Sequence, residues 1–216
     1  MITELAKRSI VGAILIVVAL ALSAIGGTGF ALMIALAATV MYVEWTRIVR
    51  QWGFGWKLAG FFYCLIPAVS VLWIRERAEF EGIGLGPDLL IWVFIVVWST
   101  DIGAFFAGRA IGGPKLAPAI SPNKTIAGLV GGVISAALLS WAWVTAANLP
   151  SLLLWLAAPF AVIAQVGDLF ESGLKRRAGV KDSGRWLPGH GGLLDRIDGL
   201  VPVAALTAGL MLAGVL

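Results

Sequence analysis

The feature that most constrains this chain is a series of apolar runs, several of them 17 or more residues long without a charged residue. A helix of about 20 apolar residues crosses a hydrocarbon layer roughly 30 Å thick. Because 60% of the 216 residues are hydrophobic and the mean hydropathy is +0.95, water cannot solvate most of the surface. Long apolar helices also occur in soluble cores, but several in one short chain predict an all-α, polytopic integral membrane bundle.

Glycine and proline breaks divide the apolar sequence into about seven predicted membrane helices. The first run follows Lys7 and Arg8 as a secretory leader would, yet a second long run follows directly, which favours a helical hairpin. We expect one membrane domain over residues 1–216, with N-terminal helices in 1–97 and a catalytic half in 98–216. The helices are predicted near residues 9–25, 28–49, 57–75, 88–110, 125–147, 151–176 and 193–215.

Basic residues fall mostly on one side of this predicted topology. If the N-terminus is cytoplasmic, the opposite side carries only Arg75 and Arg77, beside four acidic residues. Since cytoplasmic loops are enriched in Lys and Arg, this asymmetry predicts a cytoplasmic N-terminus in the cell inner (cytoplasmic) membrane. The predicted cytoplasmic basic residues are Arg47, Arg50, Lys57, Arg109, Lys115, Lys124, Lys175, Arg176, Arg177, Lys181 and Arg185.

Charge is concentrated in residues 168–198, which hold 11 of the 28 charged residues of the chain. Polar side chains spaced three and four residues apart place a polar stripe on one face of the predicted sixth helix. Carboxylates at membrane depth are costly and usually face a cavity or a partner, although a purely structural salt-bridge network gives a similar pattern. The stripe consists of Gln165, Asp168, Glu171, Ser172 and Lys175, and Asp195 and Asp198 repeat the three-residue spacing in the last helix.

The residue types in this cluster suit phosphate chemistry. Carboxylate oxygens such as those of Asp168 and Asp195 are the ligands that Mg²⁺ prefers. Basic side chains bind polyanionic phosphates, and the glycines around His190 let the backbone approach a ligand closely. The pattern therefore indicates phosphoryl or nucleotidyl transfer, which depends on positioning and charge neutralisation. The basic candidates are Lys175, Arg176, Lys181 and Arg196.

A second polar segment lies at residues 99–125. Asp101 stands inside an apolar span and is expected to point inward with Ala104, Phe105 and Gly108, or to make a single interhelical hydrogen bond. Lys124 follows a proline- and glycine-broken loop and is expected at the start of the next helix, where phosphate binds readily, although a loop lysine is often only solvated. The chain has no basic run with interleaved aromatics, so no nucleic-acid partner is expected.

The charged cluster resembles the signature of the phosphatidate cytidylyltransferase, or CDP-diacylglycerol synthase, family. The 27-residue segment 172–198 matches every position of that signature, and residues 98–200 resemble family segments in the same order. The family loop commonly reads S-P-K-K-T-x-E-G, whereas this chain has Asn123 for one lysine and Ala127 for the acid. The matching residues are Ser172, Leu174, Lys175, Arg176, Lys181, Asp182, Gly184, Leu187, Pro188, His190, Gly191, Gly192, Leu193, Asp195, Arg196, Ile197 and Asp198.

The resemblance implies an activity in phospholipid biosynthesis that converts CTP and phosphatidate, held in the lipid bilayer, to CDP-diacylglycerol and pyrophosphate. It implies that Asp168 and Asp195 hold Mg²⁺, alone or with a second metal ion. Lys175 and His190 complete the implied catalytic set, with His190 either contacting a phosphate or bracing its loop. The residues implied in substrate binding are Asp101, Ser121, Lys124, Ser172, Arg176, Lys181, Asp182, Arg196 and Asp198.

Two other functions remain open at the level of the sequence. A CTP-dependent kinase acting on a lipid alcohol such as a polyprenol would use a related membrane site, but it would need a base and would release CDP. A transporter could use Asp101, Asp168 and Lys175 as a conduction path, although two similar halves with interrupted helices are not found. The sequence does not set the oligomeric state, and a homodimer stays an alternative.

Overall fold

A computed structural model describes residues 4–80, 85–184, 186 and 191–216 of the chain. Within these residues the backbone forms eight helices and one short β-hairpin. In chain order the elements are α1 (Glu4–Ile25), α2 (Gly27–Ile48), α3 (Phe54–Phe80), α4 (Gly86–Ile111), β1 (Lys115–Ala117), β2 (Ser121–Thr125), α5 (Ile126–Ala146), α6 (Leu152–Arg177), α7 (Leu194–Ile197) and α8 (Leu200–Leu212).

The helices form an all-α bundle of a multi-pass membrane protein, as predicted. Five of the described helices, α2 to α6, are long and apolar enough to cross a membrane. Two shorter apolar helices accompany them, Gly12–Ile25 within α1 and Leu200–Leu212. The prediction of about seven helices is thus confirmed in number, and in two of the seven the apolar stretch is shorter than a full span.

The predicted last helix, 193–215, is wrong as a continuous element. It divides into the single turn α7 and the 13-residue α8, with Asp198 and Gly199 between them. The backbone dihedrals of both residues stay in the right-handed helical region, so the chain continues in nearly the same direction. Here α6 approaches the backbone closely, because a Cβ on Gly167 would lie 2.5 Å from the Asp198 carbonyl oxygen.

Helices α4 and α5 pack through small residues. A Cβ on Gly131 would lie 2.2 Å from the Ala107 Cβ, and one on Gly132 would lie 2.7 Å from the Thr100 carbonyl oxygen. Small residues let helix backbones approach in a membrane, where dispersion contacts replace the hydrophobic effect. This contact fixes α4 and the start of α5, and it thereby sets the position of the hairpin between them.

We predict that Gly132→Ala destabilises the bundle by about 1–3 kcal/mol, because the added methyl group must push the α4 backbone away. Thermal unfolding in detergent checks this, with Gly209→Ala as the matched control, since a Cβ on Gly209 meets no atom within 4 Å. Equal unfolding temperatures for the two variants would contradict the close α4–α5 contact.

The predicted loop between α4 and α5 contains an antiparallel β-hairpin. Strand β1 pairs with β2 so that Lys115 lies opposite Thr125 and Ala117 opposite Ser121. Thr125 caps α5, because its hydroxyl accepts a hydrogen bond from the Gly128 N–H at 3.0 Å. Lys124 therefore lies in β2, just outside the helix. The expectation that it starts the helix is wrong by two residues, because α5 begins at Ile126.

Candidate active site

The polar stripe predicted on the sixth helix lies on one side of α6. Gln165 and Glu171 are buried, and Asp168 and Ser172 are half-buried. Asp168 is nine residues from the last residue of α6, Arg177, which corresponds to a depth of about 14 Å along the helix. The stripe thus carries charge from the end of the bundle well into the part of the helix that suits a membrane.

Lys124 connects β2 to this stripe. Its ammonium group lies 2.6 Å from Asp168 Oδ2 and donates a hydrogen bond of 2.8 Å to Gln165 Oε1. Gln165 Nε2 in turn donates to Asp101 Oδ1 at 3.4 Å, and the Ser172 hydroxyl donates to Asp168 Oδ1 at 3.2 Å. The two polar segments that were separate in the sequence therefore form a single network.

Asp101 takes part in this network from an exposed position on α4. The rest of its helix face is partly exposed, since Phe105 is 58% exposed. The Asp101 carboxylate instead makes the interhelical hydrogen bond that the sequence left as the alternative, from buried Gln165 on α6. The face of α4 that packs inside carries Gly103, since only the smallest residues fit against α5 there. Asp101 is thus exposed on the surface of the bundle, while its carboxylate accepts a hydrogen bond from α6.

Lys175 and Asp195 form the second charge pair of the site. Lys175 Nζ lies 2.6 Å from Asp195 Oδ1 and 3.2 Å from Glu171 Oε1. Asp195 Oδ2 also accepts hydrogen bonds of 2.9 Å from the N–H groups of Ser183 and Gly192. Burial acts to raise the pKa of Asp195, but the hydrogen bonds from Lys175, Gly192 and Ser183 together hold that pKa below its usual value.

Asp198 lies at the acidic end of the cluster, between α7 and α8. Burial, followed by the charges of Asp168 and Asp101, raises the pKa of Asp198 to about 7, against a hydrogen bond from the Gly199 N–H that lowers it. The carboxylates of Asp101, Asp168 and Asp198 are therefore close enough to act on one another. Such a cluster attracts cations, and it favours a ligand or ion that relieves the mutual repulsion.

Basic side chains surround the outer end of the site. Arg176 Nε donates to the Ile120 carbonyl oxygen at 3.2 Å, which ties α6 to the hairpin near Ser121. Arg196 is exposed, and its charge acts on Asp101. Exposed Lys181 and Asp182 lie on a cavity of about 500 Å³. The cavity is lined by Arg47, Val180, Lys181, Asp182 and Gly184.

Sequence reasoning missed two residues that α2 contributes to this region. Glu44 is fully buried and binds residues on both sides of the glycine-rich segment 184–192, and Arg47 lines the cavity. Glu44 stands as an acid in the apolar segment 27–48, which is a signal that was available from the sequence. Its partners lie 139 to 150 positions away, so spacing could not reveal them. His190, Leu187 and Pro188 of the signature lie outside the described residues.

The predicted metal ligands suit a cation. Among the residues that the structure describes, no group of three or more acidic, histidine or cysteine side chains is arranged to hold a metal ion. Asp168 and Asp195 each contact a lysine ammonium group at 2.6 Å, so each carboxylate already stabilises a positive charge. Their oxygens, together with the Ser172 hydroxyl, belong to the donor class that Mg²⁺ prefers.

Comparisons with known proteins match this chain over nearly its whole length. A family model described as "Cytidylyltransferase family" matches residues 53–213. The phosphatidate cytidylyltransferase of Brucella suis biovar 1 (strain 1330) is 37% identical over 255 residues, which covers 94% of this chain and 92% of that protein. The phosphatidate cytidylyltransferase of Bacillus subtilis (strain 168) is 39% identical over 170 residues, which covers 76% of this chain and 62% of that protein.

Proposed function

This chain belongs to the cytidylyltransferase family, and we propose that it transfers CMP from CTP to phosphatidate in phospholipid biosynthesis. The products are CDP-diacylglycerol and pyrophosphate. An oxygen of the phosphatidate phosphate forms the new bond to the α-phosphorus of CTP, and the bond from that phosphorus to the α–β bridging oxygen breaks. The electron pair of the broken bond leaves with pyrophosphate.

The observation that carries this proposal is the pairing of Lys124 with Asp168, deep in α6, and of Lys175 with Asp195 in α7. The attacking phosphate is already anionic at neutral pH, so it needs no strong general base. The difficulty is to bring two anions together and to stabilise the leaving pyrophosphate. In this proposal Lys124 and Lys175 turn from Asp168 and Asp195 to the substrate phosphates, and Arg176 and Arg196 share the charge nearer the water.

We also propose that Asp168 and Asp195 hold Mg²⁺, with Ser172 and Asp198 nearby, and that a second ion is the alternative. The ion supplies charge neutralisation to the reacting phosphates when it is bound. In the structure the ammonium groups of Lys124 and Lys175 lie beside these carboxylates, and the ion would replace them there. Titration of metal-free protein with Mn²⁺, followed by electron paramagnetic resonance, counts the bound ions independently of turnover.

The proposed substrates enter from two directions. The diacyl tails of phosphatidate stay in the bilayer, and its phosphate reaches Asp101 and Lys124 from the side of the bundle. CTP approaches from the basic rim formed by Lys181 and Arg47, which we place in the cytoplasm. This orientation in the inner membrane rests on the basic asymmetry of the sequence. A homodimer stays a prediction, for which light scattering of the purified protein gives the mass.

We predict that Arg47→Ala and Lys181→Ala each raise the KM for CTP about tenfold or more, because each removes a charged contact to phosphate. The KM for phosphatidate should stay within about twofold, since the lipid binds on the other side of the network. Lys57→Ala is the matched control, because Lys57 is an exposed basic residue outside the cavity lining. An unchanged KM for CTP in both variants would show that the cavity is not part of the CTP-binding site.

Pyrophosphate release by the purified protein in detergent tests the proposed function. The assay contains CTP, Mg²⁺ and phosphatidate, and each is omitted in turn. We expect release only when all three are present. Release of CDP with a lipid alcohol would identify a kinase instead, and ion or solute flux in liposomes without nucleotide chemistry would support a transporter.

A further inference from the structure

Glu44 is a buried carboxylate in the half of the chain that carries no part of the signature. It lies near the end of α2 and has no exposed surface. Glu44 Oε2 accepts hydrogen bonds from the Ser183 hydroxyl at 2.9 Å and from the Leu194 N–H at 2.8 Å. Glu44 Oε1 accepts from the Leu193 N–H at 3.0 Å. Burying a carboxylate is costly unless hydrogen bonds satisfy its oxygens. These three hydrogen bonds therefore hold the Glu44 side chain in one defined position.

These partners lie on both sides of the glycine-rich segment. Ser183 directly precedes this segment, residues 184–192, and Leu193 and Leu194 directly follow it. Asp195 is bound by the same two stretches of backbone, through the N–H groups of Ser183 and Gly192. Two carboxylates therefore hold the ends of the segment together, and only Asp195 belongs to the charge network with Lys175.

Two glycines of the signature, Gly184 and Gly192, pack directly against the Glu44 carboxylate. A Cβ on Gly184 would lie 2.3 Å from Glu44 Oε1. A Cβ on Gly192 would lie 1.9 Å from the Ser183 hydroxyl oxygen and 2.5 Å from Glu44 Oε2. Any side chain at these positions would displace the carboxylate or the backbone that it binds. The need for glycine here follows from the presence of Glu44 as well as from backbone freedom.

We propose that Glu44 is a positioning residue for the reaction: by binding Ser183, Leu193 and Leu194 it fixes the backbone beside Asp195, so that Asp195 and Lys175 keep their places at the substrate phosphates. The inference rests on the proposed function for its kinetic part. Because α2 also supplies Arg47 to the cavity, the N-terminal half then takes part in forming the site. Glu44 itself contacts no substrate in this proposal and acts through the segment that it holds.

The test combines kinetics with hydrogen exchange on three variants. Glu44→Gln keeps the size of the side chain but replaces one acceptor oxygen by a donor that faces N–H groups. Ser183→Ala removes one of the three hydrogen bonds and leaves the carboxylate in place. Glu76→Gln is the matched control, because Glu76 likewise accepts a backbone hydrogen bond, from the Gly27 N–H at 3.2 Å, at the start of α2.

We expect Glu44→Gln to lower kcat about ten- to a hundredfold, and Ser183→Ala to lower it less, about three- to tenfold, with the KM for CTP changed less than kcat. Exchange of the Leu193 and Leu194 amides should accelerate in Glu44→Gln while α4 and α5 stay protected. The double variant should lose less than the product of the single effects, because both changes break one network. Glu76→Gln should leave kcat and the exchange of this segment unchanged.

Three results would overturn the proposal. One is activity of Glu44→Gln and Ser183→Ala within twofold of the wild type. Another is exchange that accelerates throughout the bundle, which would make Glu44 a general stability residue. The third is an unchanged kcat in Ser183→Ala, which decides the test if Glu44→Gln does not fold. Hydrogen exchange in the segment is independent of turnover, so an inactive wild-type protein would count against the proposed function and not against the anchoring.

Discussion

Asp168→Asn is expected to lower kcat by about a thousandfold or more while the protein stays folded and extractable. The variant removes the charge that holds Lys124 at 2.6 Å and one of the two proposed Mg²⁺ ligands. Removing a charged group that positions the reacting phosphates costs several kcal/mol of transition-state stabilisation. Losing a proposed Mg²⁺ ligand adds to that cost. Initial rates at saturating CTP and phosphatidate, measured on protein of verified monodispersity, check the prediction.

Asp88→Asn is the matched control for this variant. Asp88 is an acid in the first turn of α4, at the end of that helix opposite Arg109. Mn²⁺ binding gives a second measurement that does not depend on turnover, and Asp168→Asn should weaken it while Asp88→Asn should not. Wild-type activity in Asp168→Asn would remove this residue from the catalytic set.

Asp195→Asn is expected to abolish activity and, unlike Asp168→Asn, to destabilise the fold by about 3 kcal/mol or more. The Lys175–Asp195 pair is nearly buried, with side-chain exposures of 10% and 6%, against 17% and 28% for Lys124 and Asp168. Removing one partner of a buried pair is costly, because Lys175 then keeps only the more distant Glu171 carboxylate, at 3.2 Å. Asp195 also accepts hydrogen bonds from the Ser183 and Gly192 N–H groups, so the variant weakens these two contacts as well. Thermal unfolding of both variants in the same detergent measures the difference.

The pH dependence of stability gives a separate readout for Asp195. Its pKa is lower in the folded protein than in the unfolded chain, so the unfolded state binds protons more readily. Stabilisation from this residue is therefore complete above about pH 4, the usual aspartate value, and it is lost as the pH falls further through the folded pKa. Asp195→Asn should remove that part of the acid sensitivity. A variant with the stability and acid profile of the wild type would contradict the contacts assigned to Asp195.

Much of the fold follows from the apolar runs, because helix length in a membrane is set by hydrocarbon thickness. The predicted helix 28–49 lies at Gly27–Ile48 and the predicted helix 125–147 at Ile126–Ala146. The break at Asp198 and Gly199 was not predictable from hydropathy, since Ile197 and Leu200 directly beside it are both apolar and the dihedrals stay helical. The β-hairpin was missed because its strands contain only three and five residues, with Pro122 in the second of them.

The site was predictable where it depends on local spacing. The intervals of three and four residues place Asp168, Ser172 and Lys175 on one side of α6, as the structure has them. The pairing of Lys124 with Gln165 joins residues 41 positions apart, and that of Glu44 with Ser183 joins residues 139 positions apart. No periodicity reports such contacts, because they depend on which helices are neighbours in the bundle.

The measurement that tests the central claim most directly uses CTP labelled at either the α- or the γ-phosphorus, with purified protein and phosphatidate in lipid vesicles. Cytidylyl transfer predicts that the α label enters the lipid and that the γ label leaves in pyrophosphate. Lipid labelled from the γ-phosphorus, or no labelled lipid from either nucleotide, would contradict the account.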